Sequence, residues 1–562
     1  MSYLTELRRK VLEKEFSRMN ERQREAVFYT EGPLLILAGA GSGKTTVLVN
    51  RIANLIRYGG AYHSDEDRFL TEQDALAMQA YLDGTASLPE ETRSHMAVHA
   101  CRPWQVLAIT FTNKAAGELK NRLSSMLGEQ GGEIWASTFH SACARFLRQF
   151  GDRLGYTSHF TIYDTDDSKR LMKDCQRILK IEDKVLSHKA ILGEISRAKD
   201  NLVTPDEFIT AAGRDNRLAL IGQAYKLYQQ GLAKADAMDF DDLIANTVRL
   251  LQNCPDVLEY FQNKFRYIMV DEYQDVSRVQ DDIFRAVSRE GKNLFMVGDV
   301  KQSIYRFRLA DPEIFTEKYL SYPEHETAAP GQPRRILLRE NFRSRREVLE
   351  GANSMFSLCM SRRLGDMDYD EAASLKYGAE YPGQVPAPEL VLLESGGDEE
   401  ESPDKTRMEA EFVAGKIREL MDGGCTVSGR EGQRPLKYGD IAILLRSANA
   451  VGPAYRRALM EKGIPVSAVQ GGAYFSAAEI STLVSLLAVL DNPHQDIPLI
   501  AALSSPVLGF TADELSAIRS ARRGGDMYEA LCAAAGQDGK CRGFLDWLES
   551  RRDMAADLPM AE

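Results

Sequence analysis

The chain has little cysteine and uses it without pattern: eight thiols scattered over 562 residues, none in a CxxC pair. That excludes a disulfide scaffold and makes small core residues the expected role for most of them. Long apolar runs are absent too. The first strong one, LLIL, meets glycine within a few residues and is far too short to cross a bilayer. The opening MSYLTELRRKVLEKEF is charged throughout and lacks the apolar core of a secretory signal, so a cytoplasmic protein is expected. Histidine is also scarce. The one metal-like spacing is His95, His99 and Cys101, with no fourth ligand nearby, and a metal site is not expected there.

An excess of positive charge is missing as well. Lysine and arginine number 70 against 82 acids, a net charge of −12, which excludes a blanket polyanion binder. Net charge says little about where the cations lie, however. Acidic stretches such as DEEESPD (398–404) enlarge the total without facing any groove. A local basic or aromatic channel stays compatible with the composition.

What is present is ordinary for a globular protein of several domains: 44% apolar and 27% charged residues. Four apolar segments, LLIL (34–37), VLAIT (106–110), YIMV (267–270) and LFMV (294–297), each end in a polar or glycine turn. Helical patterns separate them, as in Leu48, Ile52, Leu55 and Ile56. Alternating strands and helices predict an α/β fold with a parallel sheet, which binds ligands beyond the carboxyl ends of its strands. Residues 59–103 read as a polar, helix-like insertion, and 142–237 as almost wholly helical. SYPEHETAAPGQPRR (321–335) has the composition of a linker. Beyond it, IAILL (441–445) is the clearest strand of a second set, while 396–405 and 423–435 read as surface loops. A helix is expected along Ile480, Leu483, Val484 and Leu487, and a capping box at Thr511 and Glu514.

The first strand runs into AGAGSGKTT and then a helix. Backbone N–H groups of a glycine-rich loop at a helix N-terminus attract phosphate. The cradle would be Ala38, Gly39, Ala40, Gly41, Ser42 and Gly43, followed by Lys44, Thr45 and Thr46. Lys44 would reach the β and γ phosphates, and the Thr45 hydroxyl would coordinate Mg²⁺. Ala38 stands where the usual pattern has its first glycine. After the strand YIMV comes VDEYQD (270–275), whose Asp271 is placed to hold the magnesium and whose Glu272 could polarise an attacking water.

These segments and several others resemble the superfamily 1 helicases of the UvrD/PcrA/Rep type, with some stretches closer to the AddA subunit of bacterial helicase–nucleases. The resemblance is carried by MNERQ (19–23), AGAGSGKTT (38–46), AITFTNKAAGEL (108–119), STFHS (137–141), MDFDDLI (238–244), VDEYQD, VGDVKQSIYRFR (297–308) and ENFRS (340–344). Weaker matches are EAEFVAGKI (409–417), YGDIAILLRS (438–447) and DNPHQDIPL (491–499). It implies two RecA-like P-loop motor domains with helical insertions, driven by Mg-ATP. The implied division is 1–141 with 238–335 for the first motor domain, 142–237 for its helical insert, 336–476 for the second motor domain and 477–562 for the start of that domain's helical insertion.

The resemblance also implies roles. Gln23 would read adenine, with Arg51 and Phe342 flanking the base; Gln302 would sense the γ-phosphate; Arg343 would be an arginine finger. Phe111, Thr112, Asn113, His140, Phe240, Tyr305, Phe307 and Arg308 fall in motifs that line the family's single-strand channel. Phe307 replaces a tryptophan usual in UvrD, and Lys301 an aspartate; both departures follow the AddA-like pattern. The implied activity is 3′ to 5′ DNA translocation and unwinding in repair or recombination, on single strands and their junctions with duplex. Two late family motifs, resembling HxSKGLEF and LxYVAxTRA, do not occur, and the chain ends at DLPMAE. A truncated product is therefore expected, with weak ATP hydrolysis by itself. The alternatives are a nucleotide- and DNA-binding fragment without productive unwinding, or the N-terminal part of an AddA-like helicase–nuclease subunit.

Overall fold

The computed structural model describes residues 2–303, 310–361, 363–364, 368–371, 373–379, 381, 387–394, 405–429, 432–467 and 477–557. The chain divides into two units, Met1–Glu389 and Leu390–Glu562.

Short strands that are apolar on both faces need cover on both faces, and the first unit supplies it. Its strands are β1 (Leu34–Ala38), β2 (Val106–Thr110), β3 (Trp135–Thr138), a two-residue pair β4 (Thr161–Ile162) and β5 (Ala237–Met238), then β6 (Tyr267–Val270), β7 (Leu294–Gly298) and β8 (Arg334–Leu338). Six of them form one parallel sheet in the order β3-β2-β6-β7-β1-β8. The four apolar segments read from sequence are β1, β2, β6 and β7. β8, which straddles residues 335 and 336, lies at the edge beside β1.

Alternation along each strand divides the core into two layers. Leu34, Ile36, Ala108, Met269, Phe295 and Val297 join the layer covered by helices Glu21–Phe28, Lys44–Arg57 and Asn113–Leu127. Leu35, Leu107, Ile109, Ile268, Val270 and Met296 join the other, covered by Phe139–Phe150, Phe240–Asn253 and Arg278–Val287. The 59–103 insertion forms helices Glu72–Leu82 and Glu90–Met96, and buries Met78 and Met96 in the first layer. Between 142 and 237 the chain is almost wholly helical, as its pattern predicts, interrupted by the short β4 and reaching β5 at its end. Thr165–Leu179, His188–Asp200 and Asn216–Lys234 enclose a core of their own.

In the second unit, helices Lys405–Asp422 and Ala448–Glu461 pack through Ala410, Ala414, Tyr455 and Leu459. Helices from Ala478–Asp491 to Gly539–Asp557 surround a separate core, and the Thr511–Glu514 capping box is present. Two expectations are corrected here. The segment 423–435 is not a plain loop. After a second two-stranded parallel pair in the first unit, β9 (Glu340–Asn341) with β10 (Lys376–Tyr377), it forms the antiparallel hairpin β11 (Thr426–Gly429) and β12 (Gly432–Pro435). IAILL (441–445) is not a laddered strand among the described residues. Ile441, Ile443 and Leu445 lean on the helix pair while Leu444 is 92% exposed. Its alternation is a strand's, but a strand also needs a hydrogen-bonded neighbour, which sequence pattern does not supply. Most of the expected 396–405 loop lies outside the described residues.

Candidate nucleotide site and nucleic-acid face

Three loops leave the carboxyl end of the sheet side by side, because β6, β7 and β1 are neighbours. The loop after β1 turns through Gly41 (φ +70°) and Gly43 (φ +86°), left-handed conformations that L side chains avoid. A Cβ at Gly43 would also meet the Gln23 amide. Helix Lys44–Arg57 then begins with no side-chain cap, which leaves its first N–H groups available to an anion. The Ser42 hydroxyl is buried and has no hydrogen-bond partner.

Lys44 Nζ donates to Glu272 Oε2 at 2.6 Å and lies 3.4 Å from Gln302 Oε1. One residue from each loop therefore meets at a single ammonium. Glu272 sits in a left-handed conformation (φ +50°), uncommon for a residue with a side chain. Its N–H donates to Asp271 Oδ1 at 3.0 Å, and Gln274 Nε2 donates to its Oε2 at 3.0 Å. Gln274 is itself buried and accepts the Asp299 N–H, tying the acidic loop to the loop after β7. Asp299 in turn accepts from Gln302 Nε2 at 2.9 Å.

Burial, reinforced by the Glu272 charge, pushes the Asp271 carboxyl up to about 6, with Lys44 opposing the shift. The same causes push Asp275 up to about 7. The neighbourhood is thus rich in carboxylates that a further cation would stabilise. No group of three or more metal-ligating side chains converges among the described residues.

The segment ENFRS reaches this loop from β8. Phe342 N–H donates to the Gly41 carbonyl at 2.9 Å, and Asn341 Nδ2 to the Ala40 carbonyl at 2.6 Å. Arg343 follows, exposed. On the other side of the sheet end, His140 and Phe240 meet edge to face at 5.7 Å between ring centres, and Phe240 is 48% exposed. Each stands at the start of a helix, as do Thr112, which caps its helix through Ala115 N–H, and the exposed Asn113. Phe111 is half-buried just before them. Tyr305, Phe307 and Arg308 lie outside the described residues.

Comparison with known proteins follows the same order along the chain. Residues 19–66 and 85–323 match the UvrD/REP helicase N-terminal domain, and 336–532 match the UvrD-like helicase C-terminal domain. The chain belongs to the UvrD/REP helicase family. Its parallel sheet is accordingly of the RecA-like P-loop kind. The "ATP-dependent DNA helicase PcrA" of Staphylococcus epidermidis is 35% identical over 504 residues, 89% of this chain and 58% of that protein. The protein of the same name from Bacillus subtilis is 35% identical over 506 residues, 90% of this chain and 57% of the relative. The chain thus spans somewhat under three fifths of the length of these curated relatives. Among its described residues, no helix is long and apolar enough to cross a membrane.

Arg51 has a structural task in this UvrD/REP-family chain. It is 2% exposed, donates to the carbonyls of Ala26, Tyr29 and Thr30, and lies over the Phe295 ring. Burial pulls its guanidinium down to about 10. It closes the C-terminal end of helix Glu21–Phe28, whose last carbonyls need donors. Gln23 has a structural task as well. Its Oε1 accepts the Asn20 N–H in a capping box, and its Nε2 donates to the Ser42 carbonyl at 2.8 Å. The spacing of Asn20 and Gln23 is the sequence signal for that cap. Of the metal-like trio, His95 bonds Asp74, His99 lies beside Glu66, and Cys101 is buried. Gln274 and Asp299 were not singled out from sequence, although both stand inside quoted motifs.

Proposed function

We propose that the chain is the ATP-binding and strand-binding part of a DNA helicase that moves 3′ to 5′ on single strands in repair or recombination. The observation that carries the proposal is the meeting of Lys44, Glu272 and Gln302 at one ammonium, each from a different loop at the carboxyl end of a parallel sheet. In this reading the site is built for a nucleoside triphosphate. Lys44 exchanges the Glu272 carboxylate for the β and γ phosphates, and N–H groups of the 39–43 loop receive the remaining phosphate oxygens. Thr45 and Asp271 would hold Mg²⁺, which when bound neutralises charge on the phosphates and the leaving group. Glu272, released from Lys44 but still held by Gln274, orients the attacking water. Gln302 contacts the terminal phosphate, and Arg343 supplies a planar cation to the transition state. Reading of adenine by Gln23 requires that amide to exchange one of its two present partners, and Phe342 would stack on the base.

For the nucleic acid, Phe111, His140 and Phe240 form the proposed stacking face, with Thr112 and Asn113 beside them. Tyr305, Phe307 and Arg308 extend the proposal from the family resemblance. Stacking is worth about 1–3 kcal/mol per base and tolerates any sequence, which suits a motor. The division into two motor domains with helical insertions belongs to the same proposal.

The test is phosphate release with and without single-stranded DNA, followed by strand displacement from duplexes tailed at the 3′ or 5′ end. DNA-stimulated release and displacement only from the 3′-tailed duplex are expected of the motor. Nucleotide and strand binding with no displacement would make the chain a binding module. Failure of both ligands to bind would end the proposal.

A further inference from the structure

Asn341 lies where two segments 301 positions apart touch, and its side chain is committed at both ends. Nδ2 donates to the Ala40 carbonyl at 2.6 Å, while Oδ1 accepts the N–H groups of Arg343 at 2.8 Å and Ser344 at 2.7 Å. The residue is 2% exposed. Beside it, Phe342 N–H holds the Gly41 carbonyl at 2.9 Å, and Gly39 N–H reaches the Leu338 carbonyl at 3.3 Å. A Cβ on Gly41 would fall 2.5 Å from Asn341 Nδ2, so the loop approaches this amide more closely than any other residue type would allow.

We infer that Asn341 is a positioning residue that fixes the peptide orientation of the phosphate loop and ties that loop to the backbone bearing Arg343. The reason is peptide planarity. In a trans peptide the N–H points opposite to the preceding C=O, so holding the Ala40 carbonyl toward Asn341 turns the Gly41 N–H to the opposite side. Holding the Gly41 carbonyl through Phe342 does the same for the next peptide. A loop meant to offer N–H groups to an anion must keep its carbonyls turned away from that anion. The ENFRS segment performs that task. The same amide that orients the loop also accepts from Arg343, so a displacement of Ala40 is transmitted to the arginine backbone through a single rigid group.

The inference rests on the nucleotide reading for its purpose but not for its geometry, and the test separates the two. Asn341→Asp keeps the size and both accepted bonds but sets a carboxylate oxygen against the Ala40 carbonyl; Asn341→Ala removes all three bonds. Hydrogen exchange of the 39–43 amides, without nucleotide, is expected to accelerate at least about tenfold in both variants while the amides of helix Lys44–Arg57 keep their protection. Titration with a fluorescent ATP analogue is expected to show affinity weakened about tenfold or more in both, with Asp no better than Ala. Unchanged exchange at 39–43, or an Asp variant that behaves as wild type, overturns the positioning role. A wild-type chain that fails to bind the analogue defeats the nucleotide reading, while the exchange measurement still decides for or against Asn341.

Discussion

Lys44 and Glu272, 228 positions apart in the chain, form an ion pair with Nζ 2.6 Å from Oε2. The lysine is largely buried and the carboxylate about one third exposed. The pair gives the ammonium an internal anion, whose place a phosphate takes in the proposed function. Lys44→Ala is expected to remove binding of a fluorescent ATP analogue while leaving the far-ultraviolet circular dichroism and the unfolding transition nearly intact. Affinity retained within a few fold would show that the lysine does not face the phosphates.

Gln274 holds Glu272 and Asp275 through its amide nitrogen and Asp299 through its amide oxygen. Gln274→Glu would keep the shape but place a third carboxylate against those two, and would repel them only while ionised. The penalty therefore grows with pH. A larger loss of melting temperature at pH 8 than at pH 5.5, relative to wild type at each pH, is the expected result. Equal losses would mean that shape and not charge governs the position.

Lys199 is buried against Asp239 at 2.7 Å and Asp242 at 3.0 Å, and Tyr228 donates to Asp239 at 3.0 Å. This cluster fastens the helix that begins at Phe240 to the helical insert. Removing one member of a buried pair leaves an uncompensated charge, which costs about 3–5 kcal/mol. Lys199→Met should lower the unfolding free energy measured by urea denaturation by an amount in that range, less in acid, where the aspartates can protonate. A change under about 1 kcal/mol would show that water reaches the cluster.

Asp200 ends the same helix as Lys199, and burial with the nearby Asp241 charge pushes its carboxyl from 3.8 up to about 7. Between those values the folded chain holds a proton that the unfolded chain has released, so stability falls as pH rises through the window. Above about 7 the full penalty is present, and below 3.8 there is none. Asp200→Asn should therefore raise the melting temperature at pH 8 and leave it unchanged at pH 4. Identical shifts at both would show that its ionisation does not matter.

Much of the first unit is legible in the sequence because the signals are local. Leu34–Ala38 and Tyr267–Val270 are short apolar runs with no hydrophilic face, and such runs are stable only as inner strands. Gly41 and Gly43 are needed where the backbone turns left-handed, and a lysine directly after such a loop, at the start of a helix, is the local pattern of a phosphate loop. IAILL has the same local signature, and there the signal misleads, because strand formation also depends on a hydrogen-bonded neighbour. The hairpin at Thr426–Pro435 was hidden for the opposite reason: Gly, Ser, Arg and Gln compose loops as readily as exposed strands.

The sequence by itself determined the alternation of strand and helix, the phosphate loop and the acidic turn, since each follows from backbone sterics and apolar spacing within about a dozen residues. Only the tertiary structure decided what the polar side chains do. Arg51 became a buried helix stop, Gln23 a cap that also holds Ser42, and Gln274 and Asn341 became links between loops. The reason is that a hydrogen-bonding group takes its meaning from its partner. For these residues the partner is brought in by the order of strands in the sheet, and the spacing of letters along the chain does not contain that order.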